Sequence, residues 1–234
     1  MKGDLSPFKR AIARDKSEFT IPTQMEVIAM CGRYWIDDGR ESVELGEIIA
    51  QVNRRPVTGP VKTCGEIFPT DVVPVVASSR RRAPEAFAMA WGYAMPDGKR
   101  IINARSETAG ERPLFTDGMR QRRCAVPATR YFEWERIGDK RTKYAIWPER
   151  GGVFYFAGLY RIASGRPEFV ILTRPPADGI AFIHDRMPVI LPPDRVADWT
   201  NPERGPGDIL ERAVLAVTCE KAQVDGQLEM VFLY

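Results

Sequence analysis

The apolar residues of this chain fall mostly into short runs that are rich in β-branched and aromatic side chains. Glycine, proline and aspartate separate many of these runs, as in Pro96-Asp97-Gly98 and Gly151-Gly152. Such runs predict strands, and the residues between them predict turns. We predict strands over residues 31–36, 72–76 (broken at Pro74), 86–91, 124–127, 131–135, 143–147, 153–160, 168–172, 189–191 and 214–218.

One segment has the spacing of a helix that buries one side. Ser42 is a favoured N-cap, Glu44 places an acid in the first turn, and Arg54-Arg55-Pro56 ends the segment. Shorter helices are predicted over residues 112–122, 194–199 and 207–213. The apolar face of the first helix comprises Val43, Leu45, Ile48, Ile49 and Val52.

Many strands in close succession with few helices favour an α+β fold. We expect a β-rich single domain with a curled, barrel-like, mostly antiparallel sheet and peripheral helices. This domain is expected to span residues 31–234. Residues 1–30 mix charges with apolar residues that have no period. We expect them to be disordered, or to be an extension that is cleaved or that results from an upstream start codon.

Composition and charge restrict the function only loosely. The chain has 234 residues, 44% of them hydrophobic, and a net charge of +3, which permits nucleic-acid binding without requiring it. We interpret the arginine clusters at residues 80–82 and 120–123 as solvated surface. No apolar run reaches about 18 residues, so no membrane span is expected. The N-terminal segment lacks the apolar centre of a secretory signal, and the cytoplasm is therefore the expected location.

None of the four cysteines has the CxxC spacing of a metal or redox site, so we expect neither a metal ion nor a cofactor. Cys64, Cys124 and Cys219 are expected to be buried small hydrophobes in a reducing compartment. Cys31 differs because it follows Met30. Removal of this methionine would leave an N-terminal cysteine, with an amine and a thiol on adjacent carbons.

Three further polar residues lie in otherwise apolar surroundings: Asn103, Glu133 and His184, the lone histidine. Each also has a structural interpretation. Asn103 could cap a turn, Glu133 could face water together with Glu135, and His184 could be a hydrogen-bonded structural residue. With Cys31 they provide a nucleophile, an amide, a carboxylate and an imidazole, the set that covalent chemistry with proton transfer requires. The residues alone leave both interpretations open.

Five ordered motifs between Met30 and about Trp199 resemble the SOS-response-associated peptidase (SRAP) family. They are Met30-Cys31-Gly32-Arg33-Tyr34, Trp91-Gly92-Tyr93, Asn103-Ala104-Arg105-Ser106-Glu107-Thr108, Phe132-Glu133-Trp134 and the segment from His184 to Leu191. The resemblance implies a β-rich domain that binds single-stranded DNA and crosslinks covalently to abasic sites. It assigns the nucleophile to Cys31, the amide to Asn103, the carboxylate to Glu133 and the imidazole to His184.

The implied chemistry explains why these residue types are needed. The α-amine of Cys31 would condense with the ring-opened aldehyde of the abasic sugar, and its thiol would then close a thiazolidine. Glu133 would shuttle protons and assist removal of Met30. His184 would protonate the ring oxygen of the sugar, and Asn103 would orient the amine by hydrogen bonding.

The same resemblance implies how DNA is held. Arg33, Arg105, Arg112 and Arg186 would contact phosphates. The segment Trp91-Gly92-Tyr93 would pack near the lesion, so that aromatic platforms accompany a cationic track. The expected partner is single-stranded DNA with abasic sites. We expect a monomer, because binding one lesion needs no symmetry.

The chain departs from the family pattern in three places. Twenty-nine residues precede Met30, and if they were retained they would block the amine. The segment Glu66-Ile67-Phe68-Pro69 replaces one that commonly contains asparagine, and Arg130 replaces a residue that is often glycine. One pocket or DNA contact is therefore expected to differ.

We expect an enzyme that forms abasic-site DNA–protein crosslinks, with autoproteolytic, peptidase-like or lyase activity. Two other functions stay open, a cysteine-type (auto)peptidase and a non-catalytic module that binds single-stranded DNA. The sequence favours crosslinking over general proteolysis, because no Cys–His pair with a typical protease context is present.

Overall fold

The computed structural model describes residues 32–40, 42–57 and 59–222. Strands dominate this part of the chain. They are β1 (Arg33–Ile36), β2 (Gly65–Ile67), β3 (Val72–Ser78), β4 (Pro84–Trp91), β5 (Tyr93–Ala94), β6 (Arg100–Ile101), β7 (Asn103–Arg105), β8 (Arg123–Ala128), β9 (Arg130–Ile137), β10 (Lys140–Pro148), β11 (Phe154–Ala163), β12 (Arg166–Arg174), β13 (Met187–Pro188), β14 (Ile190–Leu191) and β15 (Val217–Lys221).

The helices are short and lie between the strands. They are α1 (Val43–Asn53), α2 (Ser106–Ala109), α3 (Pro113–Gln121), α4 (Val196–Thr200) and α5 (Gly207–Glu211), with 3-10 turns at Asp178–Ile180 and Pro193–Arg195. Ser42 caps α1 as predicted, since its hydroxyl accepts a hydrogen bond from the backbone N–H of Leu45 at 3.2 Å. None of the helices in the described ranges is long and apolar enough to cross a membrane.

Five strands close into a barrel in the order β4-β3-β8-β11-β12. Four of the five pairings are antiparallel, and the parallel pairing of β12 with β4 completes the ring. The short strand β7 pairs in parallel with β12 beyond the end of β4. Trp91, Phe156 and Phe169 are among the large side chains that are buried in the core.

A second sheet, in the order β15-β10-β9-β1-β2, packs against the barrel. Tyr34 of β1 makes edge-on contacts with Trp91 and Phe156, with ring centroids 5.1 and 5.7 Å apart. Tyr34 lies opposite Tyr131 in the register of β1 with β9. Because side chains alternate along a strand, Glu133 shares the barrel side of this sheet, while Arg33 lies on the other side.

The predicted α+β fold with a barrel-like, mostly antiparallel sheet and peripheral helices is confirmed. Some details were wrong. Val43 is 81% exposed and does not belong to the buried face of α1. Pro74 does not break β3, because it pairs with Ala88 of β4 where β8 has no partner residue, so its missing N–H is tolerated. The last strand begins three residues later than predicted, at Val217.

The arginine and cysteine predictions hold for some residues only. Arg80, Arg81 and Arg82 are exposed, whereas Arg123 is 2% exposed and belongs to the interior. Cys124 is buried, and burial raises the pKa of its thiol. Cys64 is exposed, so its predicted burial was wrong.

Candidate functional site

Glu133 is a buried carboxylate on the barrel side of β9. It is 4% exposed, and the residue opposite it on β10 is Tyr144. Glu135, two residues further along the same face, is half-buried and accepts a hydrogen bond from the Tyr144 hydroxyl at 3.0 Å. The interpretation that Glu133 faces water was therefore wrong. This face of β9 becomes accessible to solvent only from Glu135 onwards.

Asn103 begins the short strand β7 and lies opposite Ile171 of β12. The residue before it, Ile102, accepts a hydrogen bond on its carbonyl from Trp91 Nε1 at 3.1 Å. The side chain of Asn103 is therefore presented by a strand that pairs with β12 of the barrel, directly after a residue bound by Trp91, rather than by a free turn.

His184 lies in the loop between the 3-10 turn at Asp178–Ile180 and β13, with a side chain that is 19% exposed. Its Nδ1 atom lies 3.1 Å from the backbone N–H nitrogen of Arg186 and 2.8 Å from Oδ1 of Asp185. In the same loop, Phe182 packs edge-on against Tyr144, with ring centroids 5.5 Å apart. The loop of His184 thus contacts Tyr144, which lies opposite Glu133 in the pairing of β10 with β9.

An ion pair joins the segments of Asn103 and His184. Glu107 lies on α2, the helix that directly follows β7. Its carboxylate accepts hydrogen bonds from both terminal nitrogens of Arg186, at 2.5 and 2.7 Å. The guanidinium of Arg186 lowers the pKa of Glu107 to about 2, so this carboxylate is ionised at neutral pH. Neighbouring residues therefore connect all three segments, those of Asn103, Glu133 and His184. Cys31 lies outside the described residues.

Trp91, Gly92 and Tyr93 are buried, with Trp91 0% and Tyr93 1% exposed. Trp91 stacks on Phe169, and the guanidinium of Arg161 lies 4.4 Å from the ring centre of Tyr93. Both rings belong to the core, and the position of this segment near the lesion stays a prediction. Gly92 adopts a positive φ of 102°, and a Cβ at this position would lie 3.1 Å from a side-chain carbon of Ile102.

The four arginines predicted to contact phosphate have different environments. Arg105 and Arg112 are exposed at the starts of α2 and α3, and within the described ranges no carboxylate pairs with either. The side chain of Arg33 is 41% exposed. Arg186, in contrast, has a side chain that is 10% exposed and is bound to Glu107.

Arg33 is part of a cation–aromatic stack on the outer side of the second sheet. Its guanidinium lies 4.8 Å from the ring centre of Phe68 and 5.1 Å from that of Trp134. The carboxylate of Glu66 lies next to this stack and forms ion pairs with Arg33 at 3.4 Å and with Lys143 at 3.0 Å. Phe68 is 38% exposed and Trp134 is half-buried. We name Phe68, Arg33 and Trp134 the outer stack.

Sequence reasoning did not assign a role to most residues of this stack or to Glu107. Trp134 and Glu107 lie inside two of the family motifs, and Glu66 and Phe68 lie in the segment that departs from the family pattern. The signal was therefore present, but the partner of each residue lies on a distant part of the chain.

A model of the family described as SOS response associated peptidase (SRAP) matches residues 30–226. The chain belongs to this family. The match begins at Met30, the residue before Cys31, and includes Asn103, Glu133 and His184.

Two curated relatives are named abasic site processing proteins. YoaM of Bacillus subtilis is 38% identical over 132 residues, which cover 53% of this chain and 58% of YoaM. YedK of Escherichia coli is 32% identical over 119 residues, which cover 48% of this chain and 54% of YedK. The chain thus spans somewhat more than half the length of each of these relatives.

Two solved structures have a similar fold. A phage-related protein of Bordetella bronchiseptica has a TM-score of 0.63 at 25% identity, over 83% of this chain and 95% of that chain. A protein of Bacteroides thetaiotaomicron has a TM-score of 0.57 at 25% identity, over 68% of this chain and 78% of that chain.

Proposed function

We propose that this protein processes abasic sites in single-stranded DNA by capturing them covalently through Cys31. The observation that carries the proposal is the SRAP match, which begins at Met30 and contains all four candidate residues. The names of YoaM and YedK as abasic site processing proteins agree with it. The contacts between the segments of Asn103, Glu133 and His184 also support a common site.

The reaction begins with Cys31 as the N-terminal residue, after residues 1–30 are removed. Its α-amine attacks the aldehyde carbon of the ring-opened sugar, and the adduct loses water to form an imine. The Cys31 sulfur then adds to the imine carbon while the thiol proton passes to the nitrogen, which closes the thiazolidine. No oxidant or cofactor is consumed.

The other residues serve proton transfer and orientation. Glu133 takes a proton from the attacking amine and returns one to the departing hydroxyl, a role that its burial beside Tyr144 favours. His184 donates a proton to the ring oxygen of the sugar and so promotes opening to the aldehyde. Asn103, held on β7, orients the amine.

Covalent capture is tested with protein begun at Met30, whose intact mass shows whether the methionine has been removed. We expect this protein to form a heat-stable, shifted band with single-stranded DNA that contains one abasic site. Cys31→Ala should abolish the band, as should retention of residues 1–30, because each removes the free aminothiol. Undamaged DNA of the same length is the control.

A band that persists in the Cys31→Ala protein would overturn the assignment of the nucleophile. Binding of the DNA without any covalent band would instead favour the non-catalytic module. Turnover of unrelated peptides by the same preparation would favour the peptidase.

We expect the outer stack to hold bases away from the lesion itself, because it lies on the side of the second sheet opposite Glu133. Trp134→Ala or Phe68→Ala should weaken binding of single-stranded DNA by about 1–3 kcal/mol, because each ring offers a stacking surface to a base. Fluorescence anisotropy with a short labelled oligonucleotide measures this change. Trp147→Ala is the matched control, since Trp147 is a half-buried tryptophan at the far end of β10. Equal losses in the Trp134 and Trp147 variants would contradict a local stacking role.

A further inference from the structure

Three consecutive arginines occupy the turn between β3 and β4. Arg80, Arg81 and Arg82 are all exposed. The N–H of Ser79 donates to the carbonyl of Ala83 at 2.8 Å, and the N–H of Arg82 donates to the carbonyl of Ser79 at 3.0 Å. Arg82 has a positive φ of 63°, a conformation that glycine or asparagine adopts at lower cost. The turn thus carries its third arginine at a position that suits this residue type poorly.

Helix α1 ends beside this turn and adds two more arginines. The side-chain oxygen of Gln51 accepts a hydrogen bond from the backbone N–H of Ala86 at 3.0 Å, and Arg55 forms an ion pair with Glu85. Arg54, the residue before it, is exposed. We name Arg54, Arg55, Arg80, Arg81 and Arg82 the arginine surface.

Few carboxylates offset the charge of this surface. Glu85 and Glu203 each pair with one of its arginines, whereas the other three form no ion pair with any carboxylate of the described ranges. The arginines without an ion pair are Arg54, Arg80 and Arg81. Five arginines and two carboxylates leave a net charge of +3, which equals the net charge of the whole chain. The other charged residues of the chain therefore cancel in number.

A shallow pocket of about 330 Å³ opens on the arginine surface. It is lined by Gln51, Arg54, Arg55, Pro84 and Glu85. A hydrogen bond from the side chain of Ser79 and the guanidinium of Arg55 lower the pKa of Glu85, so this carboxylate is ionised at neutral pH and holds Arg55 in place. Exposed guanidinium groups bind phosphate oxygens with paired hydrogen bonds, so the pocket and the turn beside it suit phosphate groups.

The arginine surface lies at the opposite end of the barrel from the loop of His184. β12 runs parallel to β4, and its residue Glu168 lies opposite Ala90 near the end of β4. The arginine turn precedes the start of β4, whereas His184 follows the end of β12. A DNA strand bound at the candidate site therefore reaches the arginine surface only if it continues beyond the lesion.

The chemistry of the arginine surface favours DNA over a protein partner. Within residues 51–55 and 79–85 no large apolar side chain is exposed. Protein interfaces are usually centred on aromatic or other large apolar side chains, whereas contacts to a DNA backbone require only positioned positive charges and donors. A phosphate backbone thus fits this surface better than an acidic peptide does.

We propose that the arginine surface is a second DNA-binding surface, which holds the phosphate backbone of the strand beyond the lesion. It contacts phosphates only and therefore adds affinity without sequence preference. The choice of DNA as the partner rests on the function proposed above. The surface itself requires neither Cys31 nor an abasic site.

The salt dependence of binding to undamaged single-stranded DNA tests the surface independently of any crosslink. With a strand of about 40 nucleotides, several times the size of a single binding site, Arg80→Gln/Arg81→Gln should make the slope of log K against log salt shallower by about 1.4. Each phosphate contact on a single strand contributes about 0.7 to this slope. Arg80→Lys/Arg81→Lys, which keeps both charges, should retain most of it. Fluorescence anisotropy measures K, and circular dichroism shows whether each variant is folded.

Arg150→Gln/Arg166→Gln is the matched control, because it removes two exposed arginines from the turns before and after β11. An equal change of slope in this control would overturn the proposal in favour of a general effect of net charge. An unchanged slope in the Arg80/Arg81 variant would overturn it as well. Binding of a polyglutamate peptide through the same two arginines would then identify an acidic protein as the partner.

The position of the surface is tested by crosslinking to abasic strands of two lengths. Arg80→Gln/Arg81→Gln should raise the half-saturating concentration of a strand of about 40 nucleotides but not that of one of about 8 nucleotides, and should leave the maximal rate unchanged. An equal rise for both strands would show that these arginines belong to the lesion site, which would contradict a second surface. If the unaltered protein forms no crosslink, the proposed function fails, while the salt dependence still tests the arginine surface.

Discussion

Glu133→Gln is expected to slow the formation of the covalent DNA adduct by about 100-fold or more. The substitution keeps the size of the side chain but removes the group that accepts and returns protons during imine formation. Glu133 is 4% exposed, so bulk water cannot readily replace it in this role. The rate is measured from the appearance of the heat-stable band at saturating abasic-site DNA.

Glu135→Gln is the matched control, because it makes the same change two residues along the same face of β9. Its rate should stay close to that of the unaltered protein, since Glu135 is half-buried and bound to the hydroxyl of Tyr144. Equal rates for the Glu133 variant and the unaltered protein would rule out proton transfer by Glu133. An equal loss in both variants would show that the face matters through its charge alone.

Arg123→Met is expected to lower the free energy of unfolding by about 3–5 kcal/mol, because it removes a buried charged donor and leaves two buried and two partly buried carbonyl groups without it. Arg123 is 2% exposed at the start of β8. Burial lowers the pKa of its guanidinium, which nevertheless stays charged at neutral pH. Its nitrogens donate to the carbonyls of Trp199, Met119, Asn201 and Arg204 at 2.6, 2.6, 2.5 and 2.7 Å.

Arg122→Met serves as the control for this prediction. The side chain of Arg122 is 43% exposed and pairs with Asp117 on the surface, so its loss should change the free energy by no more than about 0.5 kcal/mol. Urea unfolding followed by tryptophan fluorescence measures both variants. Equal stabilities would show that the segment from Trp199 to Arg204 is held by other contacts.

Local sequence was a good guide to where strands and helices lie. The alternating and β-branched runs predicted the five barrel strands, because these runs carry their own turn signals at each end. Very short strands were missed, among them β7, which holds Asn103. A strand of three residues has too few positions to show a period, and β7 exists because β12 extends past β4 and offers it a partner.

The candidate site was predictable as a set of residues but not as an arrangement. The motifs named Asn103, Glu133 and His184, and the SRAP match agrees with the family that these motifs resemble. The burial of Trp91 was not predictable, because an aromatic residue at a strand end suits either a core or a stacking surface. The outer stack was missed because it combines residues from three strand regions of the second sheet.

The sequence by itself determined the strand-rich fold class, the order of the motifs and the identity of the family. It also showed that Cys31 directly follows a methionine, Met30. Only the tertiary structure decided which arginines face solvent and which are held inside. Arg186 and its partner Glu107 are separated by 79 positions, and Arg123 donates to carbonyls as many as 81 positions away. Burial and ion pairing depend on such distant neighbours. These residues come close together only in the folded barrel, so the pattern along the sequence does not predict their contacts.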